Sequence, residues 1–246
     1  MELSDRQQLA AAFHIAVQHG WDQLIYNHFT CRLPGSNTFL VHPFGLLFSE
    51  VTASSLLEVD LATGELATSA RGAASSDMPY NATSYVLHSC VYRARPEITC
   101  VLHVHVPCIV AVASSKSGLI VGLSQESSLV GPVKYHDYEG IATSLDEQAR
   151  IIEHLGAESN VLFLRNHGVM CCGTSVAHAL SVLYHVWRAC LIQCELGAQS
   201  CLLPPASVVL KARESHANFT QAGNHNLEFK AQVRQLVRNK NTLFLE

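Results

Sequence analysis

Two histidines separated by one residue, His103 and His105 in Val101-Leu102-His103-Val104-His105-Val106, have the spacing in this chain best suited to chemistry. In an extended strand alternate side chains leave the same face, with a rise of roughly 3.3 Å per residue. The two imidazoles therefore project the same way, about 6–7 Å apart at Cα. That suits two ligands of one metal ion. Leu102, Val104 and Val106 then face the core on the other side. Inward imidazoles without a partner are costly to bury, which favours a ligand role over simple packing. A third ligand has to come from another segment. His167, in Leu164-Arg165-Asn166-His167-Gly168, follows a short apolar run. Gly168 permits a sharp turn or a close backbone approach that aims the ring inward. His88, His136 and His42 are alternatives. Neutral imidazoles suit zinc, iron, nickel or copper, and three of them leave a coordination position open for substrate or water.

The elements that must position these residues are marked by capping and turn signals. Ser4 and Gln7 form a capping box, Leu9, Phe13 and Val17 recur at four-residue spacing, and Gly20 supplies a stop, predicting a helix over 4–19. Apolar runs at 29–33 and 39–42 flank Pro34-Gly35-Ser36-Asn37, a hairpin signal. A short helical turn at 52–57, a strand at 58–61 and a small-residue loop at 67–79 follow. A helix from Asn81 must end before Pro96. A strand is expected at 99–107, a helix at 108–117, strand and loop at 119–130, and a helix over 144–155 capped by Ser144 and Glu147. A buried strand at 161–164 precedes a long apolar helix from 175 to about 201. After Leu203 an extended connection leads to a last helix near 226–239. Loosely alternating helices and strands with an early hairpin predict one α/β layered domain over 1–246, its sheet mixed or antiparallel.

Composition narrows the class. The chain has 246 residues, enough to bury a large core without disulfides or metal. Only 15% of residues are charged, against about 25% in ordinary soluble domains, which points to subunit interfaces. A net charge of −4 without a basic cluster argues against nucleic-acid binding. No apolar run reaches the roughly 18–20 residues of a membrane span, and the first residues carry no secretory pattern. The 9 cysteines form no C-x-x-C, so a reduced, cytoplasmic protein is expected, with Cys190 and Cys194 as buried small hydrophobes.

The run 95–107 followed by Arg165-Asn166-His167-Gly168 resembles the class II aldolase/adducin family. The resemblance extends through Tyr26-Asn27-His28, His42-Pro43-Phe44-Gly45-Leu46 and Lys134-Tyr135-His136-Asp137-Tyr138-Glu139-Gly140, the last closest to the adducin-like branch. It covers residues 5–200. It implies a three-layer α/β/α fold around a largely antiparallel sheet. His103, His105 and His167 would bind a divalent ion, zinc first, with Mn2+, Co2+ or Fe2+ as substitutes. The ion would act as a Lewis acid in carbon–carbon cleavage. Asn27, Gly45, Ser75 and Ser76 lie in segments resembling the family's phosphate cradle, and family members are commonly tetramers.

One departure shapes the functional expectation. Family aldolases carry an acid at the start of the helix leading to the paired histidines, and that position here is Ser84. Asp77, Glu126 and Tyr135 are the substitute acid/base candidates, although Ser75-Ser76-Asp77 lies seven residues before Ser84. Arg71, Arg165 and Lys134 are candidate anion-binding groups. The expected activity is a metal-dependent lyase acting on a small hydroxy-carbonyl or carboxylate compound. The alternatives are a metal-dependent decarboxylase or oxygenase and a catalytically inert adducin-like binding domain. The expected assembly is a homo-oligomer, a tetramer or a dimer, without nucleic-acid or membrane partners. An actin-cytoskeleton partner is not expected, because Arg234, Arg238 and Lys240 are only thinly spaced.

Overall fold

In the computed structural model, which describes residues 2–67 and 79–246, the chain begins as its capping residues direct. The Ser4 hydroxyl accepts from the Gln7 amide and the Gln7 side chain accepts from the Ser4 amide. This starts α1 (Asp5–His19), and Gly20, at φ 67°, ends it. Residues 34–37 join β1 (His28–Arg32) to β2 (Thr38–Val41), and β3 (Leu57–Asp60) continues the antiparallel ribbon. Asn81 caps α2 (Ala82–Ala94), which stops ahead of Pro96. β4 (Cys100–Val104), α3 (Pro107–Ser114), α4 (Gln125–Leu129) and β5 (Val133–His136) follow. A 3-10 turn at Leu145–Glu147 leads into α5 (Gln148–Leu155). Then come β6 (Val161–Leu164), β7 (Gly168–Gly173), α6 (Val176–Leu196), α7 (Ala206–Gln221) and α8 (His225–Arg238).

The strands form one seven-stranded sheet in the order β3-β2-β1-β4-β7-β6-β5. All neighbours are antiparallel except the parallel pair β5–β6. Strand alternation sorts the side chains into two cores. Cys100, Leu102 and Val104 of β4, Val169 and Cys171 of β7, and Val161 and Phe163 of β6 pack against α1, α3, α6 and α8. Val101, Met170, Cys172, Leu162 and Leu164 face the opposite layer, covered by α2 and α5. The result is the expected three-layer α/β/α arrangement with a largely antiparallel sheet.

Four local expectations change. β4 ends at Val104, so His105 lies outside the ladder. Part of 119–130 is helical, because Ser124 and Ser127 form a capping box that starts α4. Residues 168–173 form β7, a strand buried on both faces whose apolar run shows no alternation. The connection after Leu203 is helix α7, none of whose residues is buried. All nine cysteines are free; Cys190 is buried as expected, whereas Cys194 is exposed. Among the described residues no helix is long and apolar enough to cross a membrane.

The interior holds an unusual number of imidazoles: His14, His28, His42, His88 and His103 are all buried. Burial holds His88 down to about 3 and His42 down to about 4, because the cationic form loses its hydration. Unfolding returns both to about 6.5, so below that pH the unfolded chain binds more protons than the folded one. The stabilisation is complete above pH ~6.5 and is lost as the pH falls toward 4. Urea titrations between about pH 7.5 and 4.5 should show the midpoint dropping, with a loss on the order of a few kcal/mol. A midpoint that stays flat over this window would show that these rings are hydrated or paired in the folded protein.

Candidate metal centre

Register builds the site. β1 sets His28 directly opposite His103 of β4, and β7 sets Met170 on the other side of His103. The His103 imidazole leaves the sheet on the α2 side and is buried. Its Nδ1–H donates to the Val169 carbonyl at 3.0 Å, which leaves the Nε2 lone pair free. His105, just past the strand end, donates its Nδ1–H to Gln23 Oε1 at 2.6 Å, so its Nε2 is free as well. These two Nε2 atoms lie 2.7 Å apart. Two lone pairs converging this closely repel each other unless a cation or a proton stands between them.

His167 completes the set from the β6–β7 turn. Asn166, at φ 58°, takes the left-handed conformation there. Gly168 serves the close approach instead of the turn, since a Cβ at that position would overlap the Val104 carbonyl oxygen and press on the His105 ring. The His167 ring centroid lies 4.8 Å from that of His103 and 4.7 Å from that of His105. One ring nitrogen from each of the three residues falls within 4.8 Å of the other two. Burial lowers all three pKa values, His105 to about 4, so the lone pairs are available at neutral pH.

The cluster opens on a cavity of about 220 Å³, lined also by Tyr26, His28, Asn81, Thr83 and Tyr138. Behind it runs a buried polar chain. Thr83 Oγ1 lies 3.1 Å from His28 Nε2, His28 Nδ1 3.1 Å from His88 Nε2, and His88 Nδ1 2.8 Å from Thr30 Oγ1. The Tyr92 hydroxyl ends the chain, 2.6 Å from Thr30. His28 was visible in the sequence only as part of a motif. Alternation along β1 carried the further signal, since His28 and Thr30 share the face opposite Phe29 and Cys31.

The other anticipated residues are placed as follows. Asp77, Ser75, Ser76 and Arg71 lie outside the described residues. Ser84 is buried in the first turn of α2 with its hydroxyl on the Asn81 carbonyl, 2.6 Å away; Asn81 and Thr83 are the groups of that turn that reach the cavity. Asn27 is buried with its amide on the Trp21 carbonyl, and neither it nor Gly45, at φ 109°, lines the cavity. Tyr135 lies away from the three-histidine cluster. It projects to the α3/α6 side of the sheet, its hydroxyl accepts from the Leu119 amide at 2.8 Å, and the Arg165 guanidinium lies over its ring. The tyrosine that faces the imidazoles is Tyr138, 6.3 Å from the His167 ring. Arg165 donates to the Ala113 and Ser115 carbonyls, and Glu126 sits on α4 against α6 and α7. Of the alternative third ligands, His42 packs between Phe13 and Phe48, His88 belongs to the buried chain, and His136 lies beside Glu147.

Comparison with known proteins places this arrangement in a class. Residues 7–194 match the family described as Class II Aldolase and Adducin N-terminal domain. Mouse alpha-adducin is 42% identical over 215 residues, which are 85% of this chain but 28% of the adducin. A Pseudomonas aeruginosa protein that carries the class 2 aldolase name provisionally is 39% identical over 90% of this chain and 83% of its own length. An aldolase II superfamily protein from Pseudomonas syringae superposes with a TM-score of 0.87 at 36% identity, covering 97% of this chain and 94% of that one. L-fuculose 1-phosphate aldolase from Glaciozyma antarctica shares the fold at TM-score 0.79 and 22% identity, covering 98% of this chain and 92% of its own. The chain belongs to the class II aldolase and adducin family.

The Gly168 contact generates a direct test of how the histidines are held. Gly168→Ala forces β7 away from β4, displacing the Val169 carbonyl that orients His103. The variant should be destabilised by roughly 1–3 kcal/mol, the usual effect of overpacking. It should also bind Zn2+ at least several-fold more weakly than the parent in a chelator competition. An alanine variant with parental melting temperature and parental zinc affinity would show that the strand approach does not organise the imidazoles.

Proposed function

We propose that this chain is a metal-dependent carbon–carbon lyase acting on a small hydroxy-carbonyl or carboxylate compound. In this reading His103, His105 and His167 hold one divalent ion, zinc first, with Mn2+, Co2+ or Fe2+ as substitutes. The observation that carries the reading is the convergence of three neutral imidazoles, two with their Nδ1–H groups committed to oxygen acceptors, at the floor of a cavity of substrate size. Family membership supports it. When bound, such an ion supplies Lewis-acid polarisation and an electron sink for developing carbanion character.

The chain's own residues divide the remaining work. Asn81, the cap of α2, presents its amide NH2 to substrate oxygens while its Oδ1 accepts from the Thr83 amide and hydroxyl. His28 holds the Thr83 hydroxyl in place. Tyr138 brings a phenol, able to give or take a proton, to the rim beside His167. Asp77 is the candidate general base, through its local Ser-Ser-acid sequence. Ser84, where the family acid aligns, is buried and bonded to the Asn81 carbonyl. That observation favours decarboxylation as the second reading, since departing CO2 leaves its electron pair behind without prior proton abstraction.

A homo-oligomer fits the surface. Leu202, Leu203, Val208 and Leu210 are exposed along α7 and the segment before it, at 93%, 48%, 52% and 54%. Sedimentation of the full chain should give a dimer or tetramer, and a monomer at micromolar concentration would overturn the assignment.

Metal analysis beside assays with sugar phosphates, hydroxy acids and β-keto acids tests the reaction class. His103→Ala and His167→Ala should each lose one equivalent of bound metal and lower turnover at least about 100-fold, the scale of losing a Lewis acid. Asp77→Asn separates the two reactions: it abolishes aldol cleavage but spares decarboxylation. Metal-independent folding with no turnover on any of these classes, and no metal bound at His103, His105 and His167, would leave the fold as an adducin-like binding domain.

A further inference from the structure

A second convergence of ligand atoms lies at the outer end of the sheet. His136 is the last residue of β5. Alternation turns its side chain to the side opposite Tyr135, where it is only 2% exposed. Its Nε2 lies 3.1 Å from Glu147 Oε1 and 3.8 Å from Glu139 Oε1. The three ligand atoms all fall within 4.8 Å of one another. With bonds of about 2.0–2.2 Å, the ligand atoms of a tetrahedral zinc site are roughly 3.3–3.6 Å apart, so the two imidazole–carboxylate spacings straddle the required value.

The surroundings are those of a metal site as well. His154 Nδ1 lies 2.8 Å from His136 Nδ1, on the ring edge away from the carboxylates. When His136 Nδ1–H donates to it, the His136 Nε2 lone pair is aimed at the two glutamates, the orientation that outer partners impose on metal-bound histidines. Glu139 is held by Arg150, whose Nε and Nη2 donate to its two oxygens at 2.7 and 2.5 Å. That contact fixes the carboxylate while leaving it further lone pairs. Glu147 closes the 3-10 turn before α5, and its side chain is 10% exposed. Two carboxylates meet at one edge of the His136 ring, and Arg150 pairs with only one of them, Glu139, which leaves the nearly buried Glu147 facing the same point.

We propose that His136, Glu139 and Glu147 form a second divalent-cation site, distinct from the three-histidine cluster. The mixed nitrogen and oxygen donor set suits a first-row ion of the zinc or manganese type. The ion ties three elements together: the end of β5 through His136, the turn before α5 through Glu147, and the intervening loop through Glu139. That loop also carries Tyr138, Gly140, Ile141 and Ala142 into the wall of the candidate metal centre's cavity. The second site therefore fixes one wall of the first without contributing a ligand to it.

Zinc titration of the chelator-stripped full chain, with a competing chromophoric chelator, tests this without any substrate. The parent should take up two equivalents. A variant combining His103→Ala, His105→Ala and His167→Ala should keep one. Adding Glu147→Gln to that background should weaken the remaining site at least about ten-fold, and Glu139→Gln, on the exposed loop, should do the same with the fold preserved by circular dichroism. A triple-histidine variant that binds no zinc above background overturns the proposal, as does an affinity unchanged by both glutamate substitutions. Failure of the first centre looks different: the parent then binds one equivalent, insensitive to the three histidines and lost with Glu147→Gln.

Discussion

An imidazole buried against a sheet face has no water to bind, and a ring nitrogen left without a partner there, as both are in His42, carries a desolvation cost. The packing around β1, β4 and β7 follows from that constraint. His103 meets half of it by donating to the Val169 carbonyl, which is possible only because β7 runs close beside β4 and lets its glycine approach the Val104 carbonyl. The other nitrogen is left facing His105 and His167. Its neighbour across the strand, His28, meets the same demand differently, through Thr83 and His88 on α2. One pair of cross-strand histidines thus divides into a ligand-like member and a hydrogen-bonded member.

This division bears on which groups face the cavity. Ser84 does not stand in for an acid, because its short side chain is used locally within the first turn of α2. The polar side chains that do line the cavity are a glutamine, an asparagine, a threonine, two tyrosines and four histidines, with no carboxylate among the described residues. The same fold is shared by proteins named as aldolases and as adducins.

The second cluster at His136 shows how the loop facing the imidazoles is anchored. Arg150, Glu139, His136, Glu147 and His154 form one connected set of charge-assisted and imidazole contacts. Tyr138 lies within the span they pin down. Geometry at the sheet edge is in this way transmitted to the cavity through a few residues of main chain.

Much of the scaffold was legible from local rules. Caps at Ser4 and Asn81, the hairpin at 34–37 and the apolar runs of β4 and β6 are decided by neighbours a few residues apart, and they fold as expected. The three histidines were marked by type and by the motif around them. The sequence by itself could not say which tyrosine faces the site, because strand register and the Leu119 amide decide that Tyr135 turns away and Tyr138 turns in. Nor could it mark β7, whose apolar run is buried on both faces and shows no alternation, or the helical course of α7, which buries none of its residues. Pairings such as His28 with His103, or Glu147 with His136, join residues distant in the chain. Spacing along a sequence specifies which way a side chain leaves its own strand, but only the tertiary structure decides what it meets there.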